Sequence, residues 1–424
     1  MYKHLVLGAG LLFASTALAA PVPQTKITSN GGYIVVLKDT VKNFESHIEW
    51  ARSVHKRNLA KRDLDERTYS GIDFTYTGSN HFNGYAGHFD PDTVEEFRSS
   101  GDVDSMEEDQ DWTIGTIDVP ESEADEEEEE EEEELETRDI TEQKNATWGL
   151  RSISHRQPGG DNYIYDENAG ADTYAYVIDS GIRITHEEFE GRAEQAWTAY
   201  GDDHEDKIGH GTHCAATIGG KNYGVTKKTK LIGVKVFDQN STTTSIIIEG
   251  IAWAFDDIIS KNRTGKAVLS MSLGGTYSPT MNRILKNAAR HGIIPIAAAG
   301  NDAQDISKGS PSSAEGVITV GAIDSDWTVY EKSNFGENLS LYAPGVMIES
   351  AGHTNDTSIV KKTGTSMACP HVAGLALYAM TVDGITGTDN VKKHLLKNAT
   401  PDKIYGDLNG SPNLIANNGN SQQE

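Results

Sequence analysis

Residues 174–181 read YAYVIDSG, an apolar run that is followed at once by an acid, a serine and a glycine. Similar apolar runs occupy residues 231–237, 267–271, 293–298 and 317–320, and helix-like patterns at 246–259 and 280–291 lie between them. Strands that are apolar on both faces and alternate with helices indicate an α/β domain, in which a mostly parallel sheet is covered by helices on both sides. We expect this domain to occupy residues 141–424.

Residues 33–117 predict a second, smaller unit. Its patterns follow the order strand, helix, strand, strand, helix, strand, which is the order of the ferredoxin-like α+β fold. The first helix is expected around residues 44–57. The second is expected to begin at Pro91, with Asp92 as its N-cap, and the last strand is expected near residues 103–114.

Two segments outside these units are distinctive. Residues 1–20 combine Lys3, an apolar run at 5–13 and an Ala-Leu-Ala cleavage pattern, which is typical of a secretory signal peptide. Residues 118–140 form the boundary between the two units, and nine consecutive glutamates there cannot bury apolar surface. We therefore predict an exported protein whose two domains are joined by a disordered acidic linker.

The chain is strongly acidic, with a net charge of −27 at pH 7. This balance argues against nucleic acid as a partner, because phosphate contacts need lysine and arginine. The apolar run near the N-terminus is shorter than the ~18 residues that a membrane-spanning helix needs. We expect a soluble protein, a monomer, that binds neither nucleic acid nor a membrane.

The sequence contains two cysteines, Cys214 and Cys369, and therefore no disulfide framework. We expect both to be free, buried thiols, although export would permit a bond between them. Seven Asn-x-Ser/Thr sequons are glycosylation candidates in an exported chain, namely Asn145, Asn240, Asn262, Asn338, Asn355, Asn398 and Asn409. Together with the signal peptide they favour extracellular release, with delivery to a vacuole as the alternative.

Asp179 ends the first apolar run, where a carboxylate can accept a proton from an imidazole and fix the orientation of its ring. Taken alone, an Asp-x-Gly turn after a strand is the more ordinary interpretation. Residues 209–213 read GHGTH and are more unusual, because two glycines flank His210 at the start of a predicted helix. His213, one turn further on, is expected to be a packed histidine. The pair lacks the His-Glu-x-x-His pattern of a zinc site.

Residues 364–371 read GTSMACPH and precede a small, apolar helix at 372–380. Ser366 falls at the start of this helix, where unpaired backbone N–H groups and the positive end of the helix dipole face a developing anion. Pro370 falls in the first turns, where its missing N–H costs little. A serine in this position can also be an ordinary N-cap.

Other strand ends supply an amide and an open backbone edge. Asn301 can bind an oxyanion together with the backbone N–H of Ser366, although a turn asparagine is the alternative. A strand that ends in glycines can pair with an extended peptide, and the residues opposite it can line a pocket. The substrate-binding residues expected on these grounds are Ser272, Leu273, Gly274 and Gly275 on the edge, and Ala298, Ala299 and Gly300 on the facing wall.

The order Asp179, His210, Ser366 along the chain is the order found in subtilisin. Together with the motifs quoted above, it makes residues 141–415 resemble the subtilisin-like serine proteases. Shorter matches at residues 148–150, 223–225, 233–236 and 370–374 resemble the proteinase K group of fungal enzymes. Residues 33–114 are similar to the inhibitor prodomain of the same family.

The resemblance implies a secreted serine endopeptidase that is made as a self-inhibited zymogen. Ser366 would attack a peptide carbonyl, His210 would act as base and then as acid, Asp179 would orient His210, and Asn301 would bind the oxyanion. The family favours hydrophobic or aromatic side chains before the cut bond and needs no cofactor for its chemistry. The prodomain would inhibit the enzyme as its intramolecular partner until maturation near residues 137–141.

The sequence also departs from the family. Residues 240–244 lack the aromatic that walls one substrate pocket in proteinase K, so the preference for the fourth residue before the cut is open. Ser340 replaces an aspartate that binds calcium in relatives, which leaves structural calcium uncertain and the metal sites unknown. The acidic run Glu121–Glu136 is unusually long, and we hypothesise that it makes activation sensitive to pH or salt, because crowded carboxylates resist ionisation.

Two alternative functions predict other features. A processing protease specific for dibasic sites would need an acidic cleft and normally a second C-terminal domain, for which residues 381–424 leave no room. A non-catalytic binding protein would predict a broken triad, whereas all three members are present.

Overall fold

The computed structural model describes residues 31–62, 64, 67–77, 82–114, 117–119 and 140–423. The predicted signal peptide and residues 120–139 of the predicted linker lie outside these ranges. Within the described ranges, no helix combines the length and apolar character needed to cross a membrane.

The N-terminal domain has the predicted ferredoxin-like order. Its elements are β1 (Gly32–Leu37), α1 (Phe44–Arg62), β2 (Gly71–Tyr76), β3 (Gly84–His88), α2 (Pro91–Arg98) and β4 (Val103–Glu108). The four strands form an antiparallel sheet in the order β2-β3-β1-β4. Two short strands follow in the chain, β5 (Asp111–Thr113) and β6 (Ile117–Val119), so the predicted last strand is divided.

The predicted cap of α2 is wrong by two residues. Asp90 caps the helix, because its carboxylate accepts the backbone N–H groups of Asp92 and Thr93 at 3.1 and 3.4 Å. Pro91 occupies the first helical position, where no N–H is needed, and the cap is therefore the residue before it.

The large domain begins with β7 and alternates strands with helices. Its elements are β7 (Ile140–Lys144), α3 (Trp148–Ser152), β8 (Asn162–Asp166), β9 (Tyr174–Asp179), β10 (Ala193–Thr198), α4 (His210–Gly219), β11 (Lys230–Lys235), β12 (Ser241–Thr243), α5 (Thr244–Ser260), β13 (Ala267–Met271), β14 (Gly275–Thr276), α6 (Pro279–Arg290), β15 (Ile294–Ala298), β16 (Gly309–Ser310), β17 (Ile318–Ile323), β18 (Leu341–Pro344), β19 (Ile348–Ala351), β20 (Ile359–Thr363), α7 (Thr365–Val382), α8 (Thr388–Asn398), β21 (Thr400–Pro401) and β22 (Leu414–Ile415).

The central sheet has nine strands in the order β10-β11-β9-β13-β15-β17-β18-β22-β21. All neighbouring strands are parallel except β21 and β22. Because side chains alternate along a strand, Ala175 and Val177 of β9 pack into the cluster that contains α4 and α7, whereas Tyr176 and Ile178 pack into the one that contains α5 and α6. The predicted sheet with helices on both faces is confirmed.

The small sheet of the N-terminal domain also buries both faces. Val35 and Leu37 of β1 pack against α1 and α2. Ile34 and Val36 point the other way and join the same apolar cluster as α5 and α6 of the large domain. The two domains therefore share one continuous hydrophobic cluster, and the sheet of the smaller one lies between two sets of helices.

Candidate active site

Asp179 and His210 lie side by side at the carboxyl end of β9, an inner strand of the central sheet. Asp179 is the last residue of β9 and His210 is the first residue of α4. Nδ1 of His210 lies 2.7 and 2.9 Å from the two carboxylate oxygens, and both side chains are buried. Nε2 of His210 has no hydrogen-bond partner among the described residues. Asp179 thus holds the ring at Nδ1, while Nε2 stays unpaired among the described residues.

The carboxylate also sets the charge of the ring. Burial alone would lower the pKa of His210, but the attraction of Asp179, with a contribution from Cys214, outweighs it and raises the pKa well above 6.5. A neutral imidazole, which a general base must be, is therefore favoured by alkaline conditions.

A second buried carboxylate fixes the start of α4. Asp206 accepts the backbone N–H groups of Gly209 and Thr212 at 2.8 and 3.0 Å and the hydroxyl groups of Thr212 and Ser180 at 2.6 and 2.8 Å. Ser180 follows the carboxylate that holds His210, so one side chain ties the two loops together. The sequence analysis missed Asp206, although an acid just before a helix start is a recognisable N-terminal signal.

Ser366 is the second residue of α7 and is buried. Pro370, four residues later, has no N–H to donate to the carbonyl of Ser366. That carbonyl instead accepts the hydroxyl of Ser272 at 2.7 Å and the thiol of Cys214 at 3.6 Å. The hydroxyl of Ser366 donates to the carbonyl of Ser272 at 3.2 Å. Pro370 therefore leaves the carbonyl of Ser366 without a bond inside the helix, and this carbonyl is held by Ser272 and Cys214 instead.

Cys214 connects the histidine and the serine. Its Sγ lies 3.9 Å from Nδ1 of His210 and 3.6 Å from the carbonyl oxygen of Ser366, so both residues contact the same buried thiol. Cys214 and Cys369 are both free and buried, which confirms the expectation from the sequence. Burial raises the pKa of the Cys369 thiol to about 12, so this cysteine stays protonated.

Asn301 is held in a fixed orientation next to this serine. Its Oδ1 accepts the backbone N–H and the hydroxyl of Thr365 at 2.9 and 3.1 Å. With the oxygen so engaged, the NH₂ group is the donor end of the amide. Ala298 and Ala299 are buried directly before it, and Gly300 has a φ of +104°. Their role as a pocket wall stays a prediction.

His213 takes no part in this cluster. Its Nε2–H donates to the carbonyl of Ile348 at 2.9 Å, and burial lowers its pKa to about 3. This agrees with a packed, neutral histidine and leaves no pair of histidines for a zinc ion.

The chain itself occupies the groove beside these residues. β5 pairs antiparallel with β12, and Thr113 bridges to Gly274 on the other side. The backbone N–H of Ile114 donates to the carbonyl of Asn240 at 3.2 Å. The open edge that the sequence analysis expected at residues 272–275 thus lies opposite an extended segment of the N-terminal domain.

A further strand of the N-terminal domain lies near Ser366. β6 pairs antiparallel with β20, and Ile117 lies opposite Thr363, three residues before the serine. Of the described residues that follow β4, β5 therefore lies against β12 and β6 lies against β20. The family resemblance had already placed residues 240–244, which include β12, beside a substrate pocket, whereas β20 was not predicted from the sequence to border the groove.

Among residues 111–114, Trp112 is the most deeply buried, with 1% of its surface exposed. Its Nε1–H donates to the hydroxyl of Thr244 at 2.8 Å. Gly275 faces the ring so closely that a Cβ there would lie 2.6 Å from it.

Two acids anchor the N-terminal domain to helix starts of the large domain. Glu107 accepts the hydroxyl of Ser278 at 3.0 Å and the N–H of Thr280 at 3.1 Å, at the start of α6. Asp109 accepts the N–H and the hydroxyl of Ser245 at 2.9 and 2.6 Å, at the start of α5. Desolvation raises the pKa of both acids despite these hydrogen bonds.

The remaining predicted sites differ in their surroundings. Six of the seven sequon asparagines are exposed, whereas Asn398 is half-buried and donates its amide to His394 at 2.9 Å. Ser340 is buried and exchanges hydrogen bonds with Thr319, so its hydroxyl is already satisfied by a neighbouring strand.

Comparison with known proteins agrees with this architecture. Residues 170–420 match the subtilase family of peptidases, and residues 32–114 match the peptidase inhibitor I9 family. The chain is 44% identical to alkaline protease 1 of Aspergillus clavatus, over 98% of both chains. It is 44% identical to an alkaline proteinase of Hapsidospora chrysogena, over 95% of this chain and 96% of that protein.

A solved structure resembles the large domain. The crystal structure of a cold adapted subtilisin-like serine proteinase matches with a TM-score of 0.61 and 35% identity, over 65% of this chain and 98% of that one. These matches show the family and the activity class of the large domain, and they assign the N-terminal domain as its inhibitor. The chain belongs to the subtilase family of serine endopeptidases and carries an inhibitor I9 prodomain.

Proposed function

We propose that this protein is a secreted endopeptidase in which Ser366 is the nucleophile, His210 the general base and Asp179 the carboxylate that orients His210. The observation that carries this proposal is the buried Asp179–His210 pair, which engages one ring nitrogen and leaves Nε2 unpaired among the described residues. Cys214 contacts both His210 and Ser366, which supports their action in one pocket.

The proposed reaction uses these residues in three steps. Ser366 Oγ bonds to the peptide carbonyl carbon while its proton passes to Nε2 of His210, and Asp179 stabilises the imidazolium. The tetrahedral intermediate collapses when the imidazolium gives its proton to the leaving amine, which breaks the C–N bond and leaves an acyl-enzyme. A water molecule then transfers a proton to His210 and attacks the ester, which releases the acid and restores Ser366.

Asn301 is proposed to stabilise the oxyanion. Its fixed Oδ1 leaves the NH₂ as donor, and the N-terminus of α7 adds the N–H of Ser366 and the positive end of the helix dipole. All reacting groups are side chains or backbone of this chain, so we propose chemistry without a cofactor. The satisfied hydroxyl of Ser340 supports the loss of one calcium site.

The substrate side of the proposal rests on the groove. Ser272, Leu273, Gly274 and Gly275 are proposed to pair with substrate backbone, as the bridge between Thr113 and Gly274 supports. Ala298, Ala299 and Gly300 are proposed to line the pocket for a hydrophobic or aromatic residue before the cut bond. The prodomain segment 111–119 would then inhibit by lying where substrate lies.

The zymogen is proposed to be exported, glycosylated at exposed sequons and released outside the cell as a monomer. The predicted signal peptide at residues 1–20 and six exposed sequon asparagines support this. The half-buried Asn398 is the least accessible of the seven candidates.

The test compares the full-length wild type with Ser366→Ala and with Ser260→Ala, which removes an exposed serine hydroxyl of the same domain. Prodomain removal is followed by gel and mass spectrometry, and casein hydrolysis is measured with and without a serine-directed inhibitor. We expect both activities in the wild type and in Ser260→Ala, and neither in Ser366→Ala. An alanine variant that still processes itself and digests casein would show that the nucleophile is another residue.

A further inference from the structure

Residues 111–114 of the prodomain show which side chains of an extended substrate the groove can contact. Residues 111–114 alternate in exposure: Asp111 and Thr113 are exposed, Trp112 is buried and Ile114 is half-buried. Alternation is the signature of an extended strand, whose neighbouring side chains point to opposite sides. The groove therefore contacts every second residue, and the pair that it contacts here is Trp112 and Ile114.

The contacts of the indole are supplied by the peptidase domain. Thr244, the first residue of α5, accepts the Nε1–H at 2.8 Å, and Gly275 of β14 lies against the ring face. Thr242 of β12 is the backbone partner of Trp112. Because these residues belong to the mature enzyme, the pocket persists after the prodomain leaves.

Each of these two residues has a separate effect on which side chain fits. Gly275 sets the size, because any Cβ there would overlap the indole at 2.6 Å. Thr244 adds polarity, because its hydroxyl accepts the indole N–H, a donor that phenylalanine lacks. The hydroxyl also lies 3.3 Å from the backbone N–H and carbonyl of Gln110, so it is not left unpaired when the donor is missing.

We propose, on the basis of the endopeptidase function above, that the pocket between Thr244 and Gly275 selects tryptophan in polypeptide substrates, with an aliphatic residue two positions later. The enzyme then cuts downstream of a Trp-x-Ile pattern. The size of the buried side chain contributes more to this selection than the hydrogen bond to Thr244 does.

Three internally quenched peptides test this selection with the mature enzyme, obtained by expressing the full chain. They carry the sequence of residues 109–119 with tryptophan, phenylalanine or alanine at position 112. We expect kcat/KM for tryptophan to exceed that for alanine by about 10²-fold, the factor that burial of a large apolar side chain gives. It should exceed that for phenylalanine by about three- to tenfold, as one neutral hydrogen bond gives.

Variants of the pocket separate the two contributions. Thr244→Val keeps the shape and removes the acceptor, so the ratio of tryptophan to phenylalanine should fall to about 1. Gly275→Ala should slow both aromatic peptides by at least about tenfold more than it slows the alanine peptide, since any loss of backbone pairing is common to all three. Thr276→Val, an exposed neighbour of Gly275, is the matched control and should change none of the ratios.

The outcomes distinguish the inference from the function on which it rests. Equal rates for all three peptides with the wild type would overturn the tryptophan selection while leaving the endopeptidase intact. Failure of the wild type to cut any peptide, or cutting by Ser366→Ala, would overturn the function itself. If Gly275→Ala does not mature because its own Trp112 no longer fits, the double variant Trp112→Ala/Gly275→Ala should restore maturation, and continued failure would contradict the proposed contact.

Discussion

The proposed catalytic centre and the prodomain interface both shield carboxylates from water, but they give them different partners. Asp179 faces an imidazole that can carry a positive charge, at 2.7 and 2.9 Å. Glu107 and Asp109 accept their hydrogen bonds from neutral N–H and hydroxyl donors at the starts of α6 and α5. The desolvation cost of the carboxylate is offset by the attraction of a cation at Asp179, and by hydrogen bonds to neutral donors at Glu107 and Asp109.

The difference gives the two sets of carboxylates opposite responses to ionisation. A buried acid beside a potential cation stabilises that cation and raises the pKa of His210. Half-buried acids that meet neutral donors keep part of their desolvation cost, so their own pKa rises. The catalytic pair is therefore strengthened by ionisation, whereas the interface is weakened by it.

The largest effect is expected from a substitution that removes the charge from the Asp179–His210 pair. Asp179→Asn keeps the shape of the side chain but removes the charge and permits the wrong ring tautomer of His210. We expect kcat to fall by about 10⁴-fold at neutral pH, the loss that this exchange causes in a serine protease triad. Steady-state kinetics on a peptide substrate measures it, and an unchanged KM would show that binding is intact. A loss below about tenfold would contradict the assigned role.

The next effect concerns the amide beside Ser366. Asn301→Asp keeps an oxygen that can accept from Thr365 but removes the NH₂ donor, so the local fold is retained while the oxyanion loses a hydrogen bond. We expect kcat to fall by about 10²–10³-fold, the cost of one such donor in subtilisin. Thermal unfolding provides the control, since a large loss of stability would attribute the effect to folding.

A smaller and continuous effect is the dependence of activity on pH. Because the pKa of His210 is raised, the neutral base is regained only as pH rises through that value, and kcat/KM should fall about tenfold per pH unit below it. A flat profile between pH 6 and 9 would show that another group limits the rate.

The sequence predicted the sheet, and it pointed to the residues proposed as catalytic, because both signals lie in contiguous residues. An apolar strand such as residues 174–178 and a motif such as GHGTH can be identified without knowing what they contact. The short repeat of a strand also fixes which side chains share a face. Asp90 was missed as a cap because Asp92 competed with it, and the position of Pro91 should have decided the choice.

The contacts that tie the prodomain to the enzyme could not be predicted in this way. Trp112 and Thr244 are 132 residues apart in the chain, and Glu107 and Ser278 are 171 residues apart. A single sequence contains no signal for such pairs, since each partner alone is an ordinary tryptophan, serine, threonine or acid. The same holds for the carbonyl of Ser366, whose partner Ser272 becomes visible only in three dimensions.

The smallest expected effect concerns the prodomain interface. The rate at which the prodomain is released should depend on pH through Glu107 and Asp109. In the complex the pKa of Glu107 and of Asp109 is raised, so the complex is favoured at low pH and loses this stabilisation as pH rises above the ordinary range for carboxyl groups, near 4. Release should therefore accelerate by roughly three- to tenfold between pH 5 and 7. The charge of His88, paired with Asp73, opposes the shift at Asp109.

The measurement uses the full chain after self-cleavage, with the active site blocked by a serine-directed inhibitor so that the pH response of His210 does not enter. Release is followed by size-exclusion chromatography. The double variant Glu107→Gln/Asp109→Asn carries no titrating acid at these positions and should show a flatter profile and slower release at pH 7. Glu108→Gln, at an exposed position, is the control and should behave as the wild type. If the double variant keeps the wild-type profile, the interface responds to other groups, and the contrast between the two sets of carboxylates does not govern activation.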